Sequence, residues 1–135
     1  MSFLLQKSEE NIKSAEHLIA QGCYTSSIHC SYYACIQRML NIFYTVKGYD
    51  HKTLKGITDK IGGKGLHEKY INLLLCEFST KKLNKEKADF LIRIETLRQK
   101  RNNADYFNKA LLTRQESEEV LRKTKEVVTL IKTLE

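Results

Sequence analysis

The sequence predicts an all-α protein: an up-and-down bundle of four main helices with one shorter helix. Three observations predict it. The chain of 135 residues contains no proline, the residue that breaks helices most strongly. Apolar residues recur at steps of three and four through most of its length, the period of a helix buried on one side. No run alternates apolar and polar residues as a half-buried strand does, and no segment repeats. The length suits a single domain over residues 1–135 that buries one core without a metal or a disulfide.

The first helix is expected over residues 2–20. Leu5, Ile12, Ala15, Leu18 and Ile19 form its apolar stripe. Gly22 stands just past its end, where a left-handed residue closes a helix. The second is expected over residues 24–47. Ile28, Tyr32, Cys35, Met39, Ile42 and Val46 follow one another at steps of four and three, and Tyr33, Ile36, Leu40 and Phe43 make an adjacent stripe. Two stripes imply burial on more than one side, so this helix belongs at the centre, with its aromatic residues in the core.

Residues 48–65, GYDHKTLKGITDKIGGKG, hold five of the six glycines and read as a flexible loop with partial helical turns. Gly63-Lys64 resembles part of a phosphate-binding loop. Thr58 stands where that loop needs its first glycine, and Gly65 stands where it needs Ser or Thr, which excludes it. A third helix is expected over residues 66–78, with Leu66, Tyr70, Leu73, Leu74 and Phe78 inward. STKKLNK breaks it. The fourth is expected over residues 85–106, with Phe90, Ile94 and Leu97 inward. Thr113, followed three residues later by Glu116, forms a capping box for the last helix, whose core face is Val120, Thr124, Val127, Ile131 and Leu134.

The net charge is +7. Much of it lies between Lys81 and Arg101, where basic residues outnumber Glu86, Asp89 and Glu95. Such a surface favours a phosphate-bearing or acidic partner, although a lysine-rich solvated helix has the same composition. Cys23, Cys30, Cys35 and Cys76 form no C-x-x-C pair and read as small core thiols in a reducing compartment. No Cys/His cluster has ligand spacing, so neither a metal nor another cofactor is expected. The N-terminal segment carries no apolar run long enough for a signal or a membrane span, so a cytoplasmic protein without membrane contact is expected. There is no nucleophile elbow and no dinucleotide-binding glycine motif.

The stretch LRQKRNNADY, residues 97–106, concentrates polar chemistry. The stripe Phe90, Ile94, Leu97, Arg101, Ala104 stays apolar for two turns and then meets an arginine. Arg98, Asn102 and Asp105 lie on the neighbouring strip, and Tyr106 follows. Three readings fit these residues: a surface Arg101–Asp105 pair, a buried polar network that ties the helix to a neighbour, or a phosphate site built on guanidiniums. On the third reading the RNA- or phosphate-binding candidates are Arg98, Arg101, Asn102, Asp105 and Tyr106.

SAEHLIAQGCYTSSIHCSYYACIQRMLNIFYTVKG, LRQKRNNADY and LLTRQESEEVLRKTKEVVTLIKTL, in that order and spacing, resemble the HEPN-domain proteins (higher eukaryotes and prokaryotes nucleotide-binding) over most of the chain. The resemblance implies a helical bundle, often a homodimer joined through the motif helices. Catalytic members of that family are metal-independent endoribonucleases with an R-x(4–6)-H pattern, in which the arginine holds the scissile phosphate and the histidine transfers protons. Arg98 or Arg101 matches the arginine, and Asn102 the polar residue often found after it. No histidine stands four to six residues beyond either. Asp105 is the nearest titratable residue there, and an ordinary aspartate is a poor general acid at neutral pH. His17, His29, His51 and His67 lie elsewhere and read as structural, His29 being the least implausible as a site residue. No residue is therefore assigned a catalytic role.

The expected function is an RNA-, nucleotide- or partner-binding module with little or no nuclease activity. The resemblance implies a toxin–antitoxin or defence setting and a small nucleotidyltransferase as a possible partner protein. Two alternatives stand beside it: a divergent metal-independent endoribonuclease with a composite dimer site, and a structural helical scaffold.

Overall fold

The computed structural model describes residues 3–106 and 112–135. Its helices are α1 (Phe3–Ala20), α2 (Tyr24–Asn41), α3 (His51–Lys60), α4 (Leu66–Thr80), α5 (Asn84–Tyr106) and α6 (Arg114–Lys132), and a π-helical turn (Ile42–Val46) prolongs α2. Among the described residues there is no strand. The protein is an all-α bundle, as the periodicity predicts.

The α2 helix lies at the centre and packs against α1, α4, α5 and α6. Ile28, Tyr32, Cys35, Met39 and Phe43 are fully buried on it, joined by Phe78 from α4, Phe90, Ile94 and Leu97 from α5, and Val127 and Ile131 from α6. A further face of α2, Ser27, Ser31, Ala34 and Arg38, is also buried. Its small residues let α1 approach closely: Ser8 Oγ donates to the Ala34 carbonyl at 2.8 Å, and Asn11 Nδ2 donates to Gln37 Oε1 at 2.7 Å. Arg38 meets Glu135 at 3.2 Å, while Lys81 Nζ donates to the Leu134 carbonyl at 3.1 Å, which ties down the end of the last helix.

Four expectations need correction. Residues 51–60 are not a loop with partial turns but the helix α3. Asp50 caps it, accepting from the Thr53 N–H at 2.7 Å, and Leu54, Ile57 and Ile61 turn toward the core. The π turn, with Lys47 N–H donating to the Ile42 carbonyl at 2.8 Å, adds a residue to the last turn. Val46 is thereby rotated off the face that Ile42 occupies and is 43% exposed. Leu66, expected inward, is exposed because it opens α4 at the rim of a cavity lined by Tyr44, Leu54 and Tyr70. Of the four cysteines, all free, only Cys35 is buried; Cys23 sits in the turn before α2 and Cys76 on the outer face of α4, where neither has core neighbours.

The break between α1 and α2 follows the residue chemistry. Gly22 has φ 78°, the Cys23 N–H reaches the Leu18 carbonyl at 2.8 Å and the Gly22 N–H reaches Ile19 at 3.1 Å. This six-residue closure requires a left-handed residue at the glycine. Lys82 has the same job after α4, at φ 59°, with the Leu83 N–H bonded to the Phe78 carbonyl at 2.9 Å. A side chain in that conformation costs about 1 kcal/mol relative to glycine. Gly22→Ala is therefore expected to lower unfolding free energy by about 1 kcal/mol and Lys82→Gly to raise it by somewhat less, read from urea denaturation midpoints.

Candidate functional site

Phe90, Ile94 and Leu97 carry α5 along α2 with no exposed surface, and the next position of the stripe is Arg101. Its side chain is 19% exposed. The guanidinium carbon lies 5.3 Å from the Tyr32 ring centre and 5.7 Å from that of Tyr33, so two aromatic faces of α2 hold the charge. Arg101 Nε is 3.0 Å from Asp105 Oδ2, one turn on. The angle is wrong for a hydrogen bond, and Nε is buried without an acceptor. The other Asp105 oxygen is 3.6 Å from His29 Nδ1, and the half-exposed His29 ring stacks on Tyr33 at 4.6 Å between centres.

The α4 helix supplies the other wall. Tyr32 Oη and His67 Nδ1 are hydrogen-bonded at 3.3 Å, and the His67 ring also meets Tyr33 edge-on. Arg98, a quarter exposed, lies 3.7 Å from a Glu68 oxygen and 3.9 Å from one of Glu95, too far for a hydrogen bond to either. Burial pushes the Tyr32 phenol up to about 12, against the pull of the Arg98 and Arg101 charges, so it stays protonated. Burial, then the Arg101 and Arg98 charges, push His67 below its ordinary 6.5, so its neutral form is favoured. The cluster thus joins two guanidiniums, a neutral imidazole and the neutral Tyr32 phenol with the carboxylates of Asp105, Glu68 and Glu95, none of which accepts a hydrogen bond from either arginine, so donors are left for an anion.

The candidates from the sequence spread around α5, and Arg98 acts on Tyr32 and His67 as well as bordering the outer groove. Arg101 and Asp105 face the α2 aromatics. Arg98 and the exposed Asn102 border a shallow outer groove with Glu95 and Gln99. Tyr106 ends α5, and its side chain lies outside the described residues. The basic run is not uniformly available: Arg93 Nη1 donates to Glu126 at 2.6 Å, Lys87 Nζ to Ser79 Oγ at 2.6 Å, and Lys81 closes the chain end. Sequence reasoning missed Tyr32, Tyr33 and His67. The tyrosines look like ordinary core positions of α2, and His67 stands some thirty residues from the motif; only its place one turn before the core residue Ile71 hinted that it faces inward.

A histidine whose proton affinity falls on folding costs stability in acid. Between 6.5 and its lower folded value, the unfolded chain binds a proton that the folded chain does not, so stability falls as pH drops through that window and is unaffected above it. His67→Asn is expected to shrink the stability difference between about pH 7.5 and about pH 5.5, measured by urea unfolding.

Compared with known families, residues 1–134 match the HEPN domain. No curated protein and no solved structure matches the chain. The match spans all but the last residue, and the helical bundle agrees with it: the chain belongs to the HEPN domain family.

Proposed function

We propose that this protein binds RNA or a nucleotide through a phosphate at Arg98 and Arg101, with little or no cleavage. The observation that carries the proposal is Arg101: a guanidinium fixed against two aromatic rings, with a buried Nε that lacks an acceptor. A charged donor that is ion-paired to Asp105 but not hydrogen-bonded is incompletely compensated and gains from an incoming anion. Neutral His67 and exposed Asn102 add hydrogen-bonding groups for sugar or base. HEPN membership supports a nucleic-acid or nucleotide ligand without naming it.

The homodimer expected from the family finds support in Leu91 and Ile92, exposed at 39% and 69% on the outward side of α5. A small nucleotidyltransferase partner, in a toxin–antitoxin or defence setting, belongs to the same proposal. So does a cytoplasmic location; among the described residues no helix is long and apolar enough to cross a membrane.

One observation favours a second reading, a divergent endoribonuclease. His67 on α4 and His29 on α2 bring imidazoles to the arginines, although α5 itself carries no motif histidine. On this reading one of them takes a proton from an attacking hydroxyl.

Labelled single-stranded RNA titrated at rising salt separates these readings. Binding that weakens steeply with salt and falls at least about tenfold in Arg101→Ala, with the RNA intact, is the expected result. Cleavage lost in His67→Ala establishes the enzyme instead. Absence of both leaves a structural scaffold.

A further inference from the structure

We propose that Asp105 is a resident competitor at the anion site: its carboxylate stands where a ligand oxygen sits on Arg101, and it admits phosphates while turning away carboxylates. The proposal rests on the reading of Arg98 and Arg101 as a phosphate site and adds what determines its selectivity.

Asp105 holds its place weakly, for two separate reasons. Its Oδ2 is 3.0 Å from Arg101 Nε yet misaligned, so it offsets charge without accepting the buried proton. It follows the arginine by one turn, the less favourable order for an i,i+4 pair. A stronger anion therefore displaces it at small cost.

The displaced carboxylate has somewhere to go. Its second oxygen already lies 3.6 Å from His29 Nδ1, and His29 is 46% exposed and braced on Tyr33. A modest rotation trades the Arg101 contact for His29.

Selectivity follows from counting oxygens. A carboxylate ligand replaces Asp105 with a group of the same kind and forgoes the advantage of a tethered one, so it gains nothing. A phosphate brings more oxygens and, as inorganic phosphate or a terminal nucleotide phosphate, a second charge that an internucleotide phosphodiester lacks. It meets the Arg101 Nε proton and also reaches Arg98, whose nearest carboxylates stand at 3.7 and 3.9 Å. Asp105 thus sets a threshold that a phosphate crosses and a carboxylate does not.

The test is calorimetric titration of the full chain with inorganic phosphate and with acetate, alongside NMR of the Arg101 Nε–H and the Asp105 carboxyl carbon. Asp105→Asn is expected to tighten phosphate about five- to tenfold and to make acetate binding measurable. Asp89→Asn, which removes the same charge elsewhere on α5, is expected to change either by less than about twofold. In the unsubstituted chain, phosphate moves both NMR signals together while acetate moves neither. Phosphate binding that leaves the Asp105 carbon unmoved, or equal tightening by both variants, overturns the displacement. Acetate still excluded from Asp105→Asn overturns the selectivity. No phosphate or RNA binding by a folded unsubstituted chain removes the underlying site as well. The NMR arm uses the unsubstituted chain and stands even if a variant fails to fold.

Discussion

Arg101 carries a permanent charge into the seam between α2 and α5, and the cost of holding it there organises the side chains around it. A guanidinium cannot shed its charge as a lysine or histidine can, so the fold must accommodate it where it lies. Tyr32 and Tyr33 offer ring faces, and Asp105 offers a carboxylate at the wrong angle. Burial disfavours protonation of His67, and the Arg101 charge adds to it. Arg101 marks where α5 stops being a structural helix and becomes the wall of a site.

The rest of the bundle makes that possible by keeping α2 still. A helix buried by α1, α4, α5 and α6 has little freedom to rotate, so the packing of the whole helix fixes the rings of Tyr32 and Tyr33 beside the charge. Small residues on the α1 side and large ones on the α5 side divide the labour. Ser27, Ser31 and Ala34 allow close approach, whereas Met39 and Phe43 fill the space beneath α4 and α5. The π turn at the end of α2 then lets the chain leave the core, exposing Val46 before Asp50 caps α3.

The cluster is adjustable because its strongest charge has an imperfect partner. A well-aligned carboxylate would close Arg101 off, and no carboxylate at all would leave a buried charge unpaired. Asp105, misaligned and within reach of His29, lies between those limits. Glu68 stands in a similar relation to Arg98, near enough to offset its charge and too far to bond.

Helical periodicity, the absence of proline and the Thr113 cap determine the all-α bundle and most element boundaries in the sequence itself, because those signals are local and each residue's burial follows from its position in a 3.6-residue turn. The arginine at the end of the α5 stripe is legible for the same reason. The α3 helix was obscured by its glycine and polar residues; an aspartate cap and three apolar side chains outweighed them once there was a core to face. The neighbours of Arg101 are a different matter. His29, Tyr32, Tyr33 and His67 come from other helices, and no local pattern encodes which face meets which across a seam. That pairing, and with it the misaligned carboxylate and the depressed imidazole, was decided only when three helices packed together, since distance and burial between remote residues are properties of the packed chain.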